Sequence, residues 1–140
     1  MRNMGLDIGD KRIGVALSDP EDILASPLTT IIRNEDSSAV EKIKEIADAN
    51  EVNCIVIGLP YSLSGEKSSQ TTTTLNFIDK LKSAITIEII TEDERFSTSV
   101  AQRLLSQQGK KKKKNKGDID AAAAAYILQG YLDKKRMQGQ

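Results

Sequence analysis

The first twenty residues alternate large apolar side chains with small or polar ones, at the period of two expected of strands covered on one face. In Met4-Gly5-Leu6-Asp7-Ile8-Gly9, the residues Met4, Leu6 and Ile8 share one face, and Gly5, Asp7 and Gly9 share the other. In Arg12-Ile13-Gly14-Val15-Ala16-Leu17-Ser18, the stripe of Ile13, Val15 and Leu17 lies opposite Gly14, Ala16 and Ser18. The short Gly9-Asp10-Lys11 link reads as a hairpin turn. The pair thus presents an apolar face for a core and a bare face bearing one acid, Asp7. Glycines on either side of that acid leave room for a metal ion, a phosphate or a backbone to approach. The plain alternative is an acid on a solvated hairpin edge, but such a face normally carries larger polar residues than glycine and alanine.

Further along, Leu28-Thr29-Thr30-Ile31-Ile32 is expected to form a third strand that begins after Pro27. A helix follows, opened by a capping-box pair, Ser38 and Glu41, with Val40, Ile43, Ile46 and Ala47 as its apolar stripe and Asn50 as its stop. Cys54-Ile55-Val56-Ile57-Gly58 is continuously apolar, the pattern of a parallel strand buried on both faces. After a loop from Tyr61 to Ser69, the spacing of Leu75, Ile78 and Leu81 predicts a helix over Thr71 to Lys82, against the poor helix propensity of four threonines. Ile85 to Ile90 reads as a strand that runs out into Thr91-Glu92-Asp93-Glu94-Arg95. A helix from near Ser97 to Gly109 packs through Val100, Leu104 and Leu105, and a last helix runs from near Asp118 to about Lys135. The order βββ-α-β-α-β-α-α predicts an α/β layered fold: a mixed five-stranded sheet, antiparallel meander plus parallel strands, with helices on both faces.

Composition narrows the chemistry. A chain of 140 residues suits a single domain, 1–140. Met1-Arg2 leads straight into a strand, and the longest apolar run, Ala121 to Leu128, is far too short to span a membrane. Cys54 is the only cysteine and reads as a small buried hydrophobe, so a cytoplasmic protein without disulfides or a membrane partner is expected. The absence of histidine removes the commonest general base, Ser-His and Cys-His nucleophiles, and histidine-ligated zinc. Net charge is zero but uneven: Lys110 to Lys116 holds six lysines, and without them 14 basic residues face 20 acids. The result is an acidic body with one basic segment.

Helical spacing gives one more acid, Asp120, a position on the side of its helix that faces the sheet. Steps of three and four from Asp120 reach Ala123, Ala124, Ile127 and Tyr131, so Asp120 heads the stripe that faces the sheet. The same count from Asp118 reaches Ala122, Ala125 and Gln129, and Asp118 reads as a cap. Asp120 either favours the helix macrodipole, worth ~0.3–1 kcal/mol, or is aimed at a site on the sheet. The Glu92-Asp93-Glu94-Arg95 group closes a strand at the end where α/β sheets gather their sites, and is otherwise an ordinary charged turn. Carboxylates ~4 Å apart repel by roughly 4 kcal/mol at an effective dielectric of 20, so three together need a cation. Oxygen ligands favour magnesium or manganese, which support phosphodiester hydrolysis without histidine. The lysine run is either a solvated loop or a grip on a nucleic-acid backbone beside the acids.

At this point the motifs resemble a known family. Asp7-Ile8-Gly9-Asp10-Lys11-Arg12-Ile13-Gly14-Val15-Ala16, Gly58-Leu59-Pro60 with Ser64-Gly65, Asp93-Glu94-Arg95-Phe96-Ser97-Thr98, and Asp120-Ala121-Ala122-Ala123 with Ile127-Leu128-Gln129-Gly130-Tyr131-Leu132 look like the YqgF (RuvX) family, in order and over nearly the whole chain. The resemblance implies a ribonuclease H-like fold. It also implies a nuclease processing the 5′ end of precursor 16S ribosomal RNA, or a Holliday-junction resolvase by likeness to RuvC. Carried over by position, Asp7, Glu94 and Asp120 are the expected catalytic residues and ligands of Mg2+ or Mn2+, with Asp93 as a partner to Glu94. Lys11, Arg12, Arg95, Lys110, Lys111, Lys112, Lys113, Lys114 and Lys116 are the expected nucleic-acid contacts. Five consecutive lysines exceed what the family pattern requires at that loop.

The expected partner is therefore nucleic acid, structured RNA or branched DNA, bound by a monomer or homodimer. A resolvase, cutting two strands symmetrically, should be a stable dimer. Other readings are a non-catalytic RNA-binding assembly factor with the same fold, and the sugar-kinase and actin class. That class needs two such domains to enclose ATP, where this chain supplies one.

Overall fold

The computed structural model describes residues 2–59, 69–93 and 116–138. The described elements run β1 (Arg2–Ile8), β2 (Arg12–Ser18), β3 (Ala25–Ile32), α1 (Asp36–Ala49), β4 (Val52–Leu59), α2 (Ser69–Ala84), β5 (Glu88–Asp93) and α3 (Lys116–Met137). The strands form one mixed sheet in the order β3-β2-β1-β4-β5, antiparallel across β3-β2-β1 and parallel across β1-β4-β5. The helix expected between Ser97 and Gly109 lies outside the described residues.

Strand alternation sorts the two faces as the pattern predicts. Met4, Leu6, Ile8, Ile13, Val15, Ile55, Ile57 and Leu59 pack with α1 and α2 around Phe77, which is fully buried. Ala16, Cys54 and Val56 pack on the other face, beneath Ala124, Ile127, Leu128 and Leu132 of α3. β4 is thus covered on both sides, which is why its sequence is continuously apolar. The α1 stripe is buried as expected, and two of the α2 threonines, Thr71 and Thr74, lie buried on the side that also carries Phe77, Ile78 and Leu81.

Several boundaries differ from expectation. β3 begins at Ala25 and runs through Pro27, because it is an edge strand where a missing N–H costs no ladder bond. A bulge follows at once, with Val15 opposite Thr29 but Ala16 opposite Pro27. α1 starts two residues before Ser38, so the capping box does not form; Glu35 is the N-cap and makes no side-chain cap bond. Asp36 in the first turn takes over the end instead. Arg33 bonds it at 2.8 Å and Lys80 of α2 at 2.7 Å, and these cations hold its carboxyl down to about 2. Arg33 also donates to the Gly9 carbonyl at 2.8 Å and stacks 4.9 Å from the Phe77 ring centre, tying the β1–β2 turn to α1 and α2. β5 starts at Glu88 rather than Ile85, since pairing begins where it meets Cys54, and it extends through Asp93 opposite Leu59. Ile85 is still bonded to Leu81 at the end of α2.

Candidate functional site

The bare face of the first hairpin is the seat of α3. A Cβ on Gly14 would lie 2.0 Å from the Asp120 carbonyl oxygen, and one on Gly5 would lie 2.7 Å from that of Ala124. Of the approaches those glycines allow, a helix backbone is the one observed here. Asp7 stands opposite Gly14 across the β1–β2 ladder, two residues from Gly5 and on the same face. Asp120 is therefore brought to the face that carries Asp7, at the carboxyl end of β1, by the close seating of its own backbone on Gly14. Both acids are half-buried.

α3 begins at Lys116, so Asp120 is its fifth residue rather than part of the first turn. Macrodipole stabilisation fades beyond that turn, which weakens the purely structural reading of Asp120. The same start puts Asp118 inside the helix, correcting its reading as a cap: the helix continues one half-turn further toward its N-terminus than the aspartate signal suggests. The predicted stripe holds, with Ala123, Ala124 and Ile127 buried and Tyr131 packed beside them. Gln129 also faces inward, accepting from the Ala25 N–H at 2.8 Å and donating to the Ile23 carbonyl at 2.9 Å.

Arg12, expected to contact nucleic acid, is found on an acid. Its Nε donates to Asp120 Oδ2 at 2.7 Å, with the two side chains 30% and 23% exposed. Lys11 is exposed in the turn, where its carbonyl accepts from the Arg33 N–H at 2.9 Å. Glu94, Arg95 and Lys110 to Lys114 lie outside the described residues, as does the side chain of Lys116. Asp93 is at the exposed end of β5. Among the described residues no three acidic, cysteine or histidine side chains cluster closely enough to hold a metal ion.

Glu92, singled out in the sequence only as a member of the charged Glu92-Asp93-Glu94-Arg95 group, is directed to α3. It bonds Lys134 of α3 at 3.1 Å, and together with Asp93, Tyr126, Gly130 and Tyr131 it lines an open groove of ≈190 Å³. The spacing of Tyr126, Gly130 and Lys134 at steps of four is the one signal that would have found this side of the helix. Tyr131 sits against Cys54, and burial pushes both the phenol and the thiol above their ordinary values.

A family model described as RuvX, Holliday junction resolvase, matches residues 1–134. The chain belongs to the RuvX family. Relatives named "Putative pre-16S rRNA nuclease" include one from Clostridium botulinum, 44% identical over 95% of this chain and 97% of its own length. Another, from Sulfurihydrogenibium sp., is 47% identical over 95% of this chain and 90% of its own. Among solved structures, RuvC of T. thermophilus in complex with a Holliday junction substrate superposes with a TM-score of 0.61 at 10% identity, covering 97% of this chain and 96% of the other. The Fowlpox virus Holliday junction resolvase gives 0.61 at 12% identity over 96% and 99%. This RuvX-family chain thus has the ribonuclease H-like fold that its motifs imply. No helix among its described residues is long and apolar enough to cross a membrane.

Proposed function

We propose that this protein is a metal-dependent endonuclease that hydrolyses phosphodiester bonds in structured nucleic acid, with the 5′ end of precursor 16S ribosomal RNA in the cytoplasm as its substrate. The observation that supports the reading is that Asp7 lies opposite Gly14 across the β1–β2 ladder and the backbone of Asp120 seats on that same Gly14. Two half-buried carboxylates on one face, with no histidine anywhere in the chain, form a hard oxygen donor set. That set fits Mg2+ or Mn2+. Asp7 and Asp120 would hold the ion, and Glu94 would complete the set. An ion held there would supply an activated water and stabilise the leaving oxygen. The chain's own residues do the rest. The Gly14 seat fixes where Asp120 projects, the Arg12 guanidinium offsets its charge while no cation is bound, and Lys11, Arg95 and the lysines from Lys110 to Lys116 would hold the phosphate backbone. The names of relatives that share 44–47% of the sequence over nearly its full length favour ribosomal RNA.

The family description and the likeness to RuvC favour one second reading, cleavage of branched DNA by a dimer. Cleavage of matched precursor-rRNA and four-way-junction substrates with Mg2+ or Mn2+, beside Asp7→Asn, tests both. Metal-dependent cutting of the RNA, lost in the variant, is expected. Cutting of the junction alone by a dimer would replace the first reading with the second. Wild-type levels of cutting by Asp7→Asn would refute both.

A further inference from the structure

We propose that Arg12 is a gate that makes uptake of the divalent cation depend on nucleic acid. The inference rests on the metal reading of Asp7 and Asp120 given above. Arg12 opens β2, and its guanidinium occupies Asp120 Oδ2 through a 2.7 Å bond from Nε. That carboxylate is the one the cation requires. A guanidinium cannot give up its charge at any physiological pH, so it competes with the metal for the same oxygen and repels it from close range.

The pair is built to exchange. Its backbone anchors are fixed: Gly9 N–H bonds the Arg12 carbonyl at 2.9 Å, and Arg33 N–H closes the same turn onto Lys11. Its head groups are partly in water, 30% and 23% exposed, and exposed ion pairs of this kind hold little net stability. An incoming phosphodiester offers Arg12 a better-matched partner, because the planar guanidinium suits the paired oxygens of a phosphate. Moving onto the phosphate frees Asp120 for the cation, so metal and nucleic acid each strengthen the binding of the other. Linkage requires that coupling to be reciprocal. The competing role is a clamp that merely orients Asp120 for the metal. The two roles differ in sign: loss of a clamp weakens metal binding, and loss of a gate strengthens it.

The test is Mn2+ binding to the full chain, followed by the electron paramagnetic resonance signal of free Mn2+. It is run alone and with a 2′-O-methyl RNA hairpin or a four-way DNA junction, and each probe is checked to be intact afterwards. Wild type should bind Mn2+ at least fivefold more tightly with one of the probes than without. Arg12→Gln should bind Mn2+ alone about tenfold more tightly than wild type, gain less than twofold from the probe, and bind the probe severalfold more weakly. Its log–log salt slope should be shallower by about one. Unchanged or weaker Mn2+ binding by Arg12→Gln overturns the gate. So does an equal Mn2+ affinity with and without both probes in wild type, a comparison that needs no variant to fold. Binding by wild type that is lost in Asp7→Asn but unaltered in Arg12→Gln refutes the gate alone. Absence of Mn2+ binding in wild type under every condition refutes the metal reading, and the gate with it.

Discussion

Gly14→Ala is the substitution on which the account of α3 turns. Its backbone φ lies outside the left-handed region, so nothing about the strand itself forbids alanine. On strand propensity alone the change should even stabilise, because glycine loses the most freedom on folding. The obstacle is external: the new Cβ would sit 2.0 Å from the Asp120 carbonyl oxygen, 2.3 Å from its carbonyl carbon and 2.9 Å from the Ala121 nitrogen. All three are helix backbone, and ordinary contact starts near 3.4 Å, so α3 must lift by more than about 1 Å. Overpacking costs ~1–3 kcal/mol where side chains can yield. Here a whole helix end must yield, and with it the packing of Ala124 and Leu128 on Ala16 and Val56. We expect a loss at or above ~3 kcal/mol, equivalent to a fall of about 10 °C in Tm for a chain of this size.

Two further glycines calibrate the experiment. A Cβ on Gly5 would meet Ala124 oxygen at 2.7 Å and Leu128 Cβ at 2.8 Å, a milder clash expected to cost ~1–3 kcal/mol. A Cβ on Gly130 meets nothing within 4 Å in the exposed interior of α3, so alanine there should stabilise by ~0.5–1 kcal/mol. Urea unfolding followed by circular dichroism at 222 nm gives all three values on one scale. The expected order of stability is Gly130→Ala, wild type, Gly5→Ala, Gly14→Ala. A Gly14→Ala protein within ~0.5 kcal/mol of wild type, with Mn2+ binding intact, would show that α3 does not seat on this glycine and would remove the argument that places Asp120 beside Asp7.

Three other outcomes follow from the same structure. Asp36, held at about 2 against an ordinary 3.8, binds its proton less readily folded than unfolded, so its contribution is full above pH 3.8 and disappears as pH falls through about 2. The full shift corresponds to ~2.4 kcal/mol, reduced to about 1 kcal/mol by the solvent around the pair with Lys80; the stability difference between wild type and Asp36→Asn should shrink across that window, and a difference constant with pH would refute it. Glu51, just past the Asn50 C-cap of α1, has a φ of 55°, so Glu51→Gly should raise stability by ~1 kcal/mol in urea unfolding, and a loss would contradict the strain. Burial pushes the Cys54 thiol up, so a disulfide reagent should label it in the native protein at least a hundredfold more slowly than in urea; equal rates would show that α3 does not cover β4.

What the sequence determined on its own was which residues share a face. Period two in β1 and β2 separates Met4, Leu6 and Ile8 from Gly5 and Asp7, because side chains must alternate across a pleat whatever lies above it. Period 3.6 puts Asp120 on the buried stripe of α3 for the same local reason. The resemblance of its motifs then identified the family and the fold. Ends of elements were less legible, since β5 begins where Cys54 offers a partner and α1 begins where Arg33 and Lys80 hold Asp36. Cys54 and Lys80 are beyond the reach of a local pattern, and only Arg33, three residues from Asp36, is a local neighbour. Tertiary structure alone decided that the space above Gly14 is filled by the backbone of Asp120, and that Arg12 spends its charge on an acid 108 residues away. Glycine in a strand announces room, and arginine announces a cation. What occupies the room and what meets the charge depend on which distant segment the packed sheet brings there.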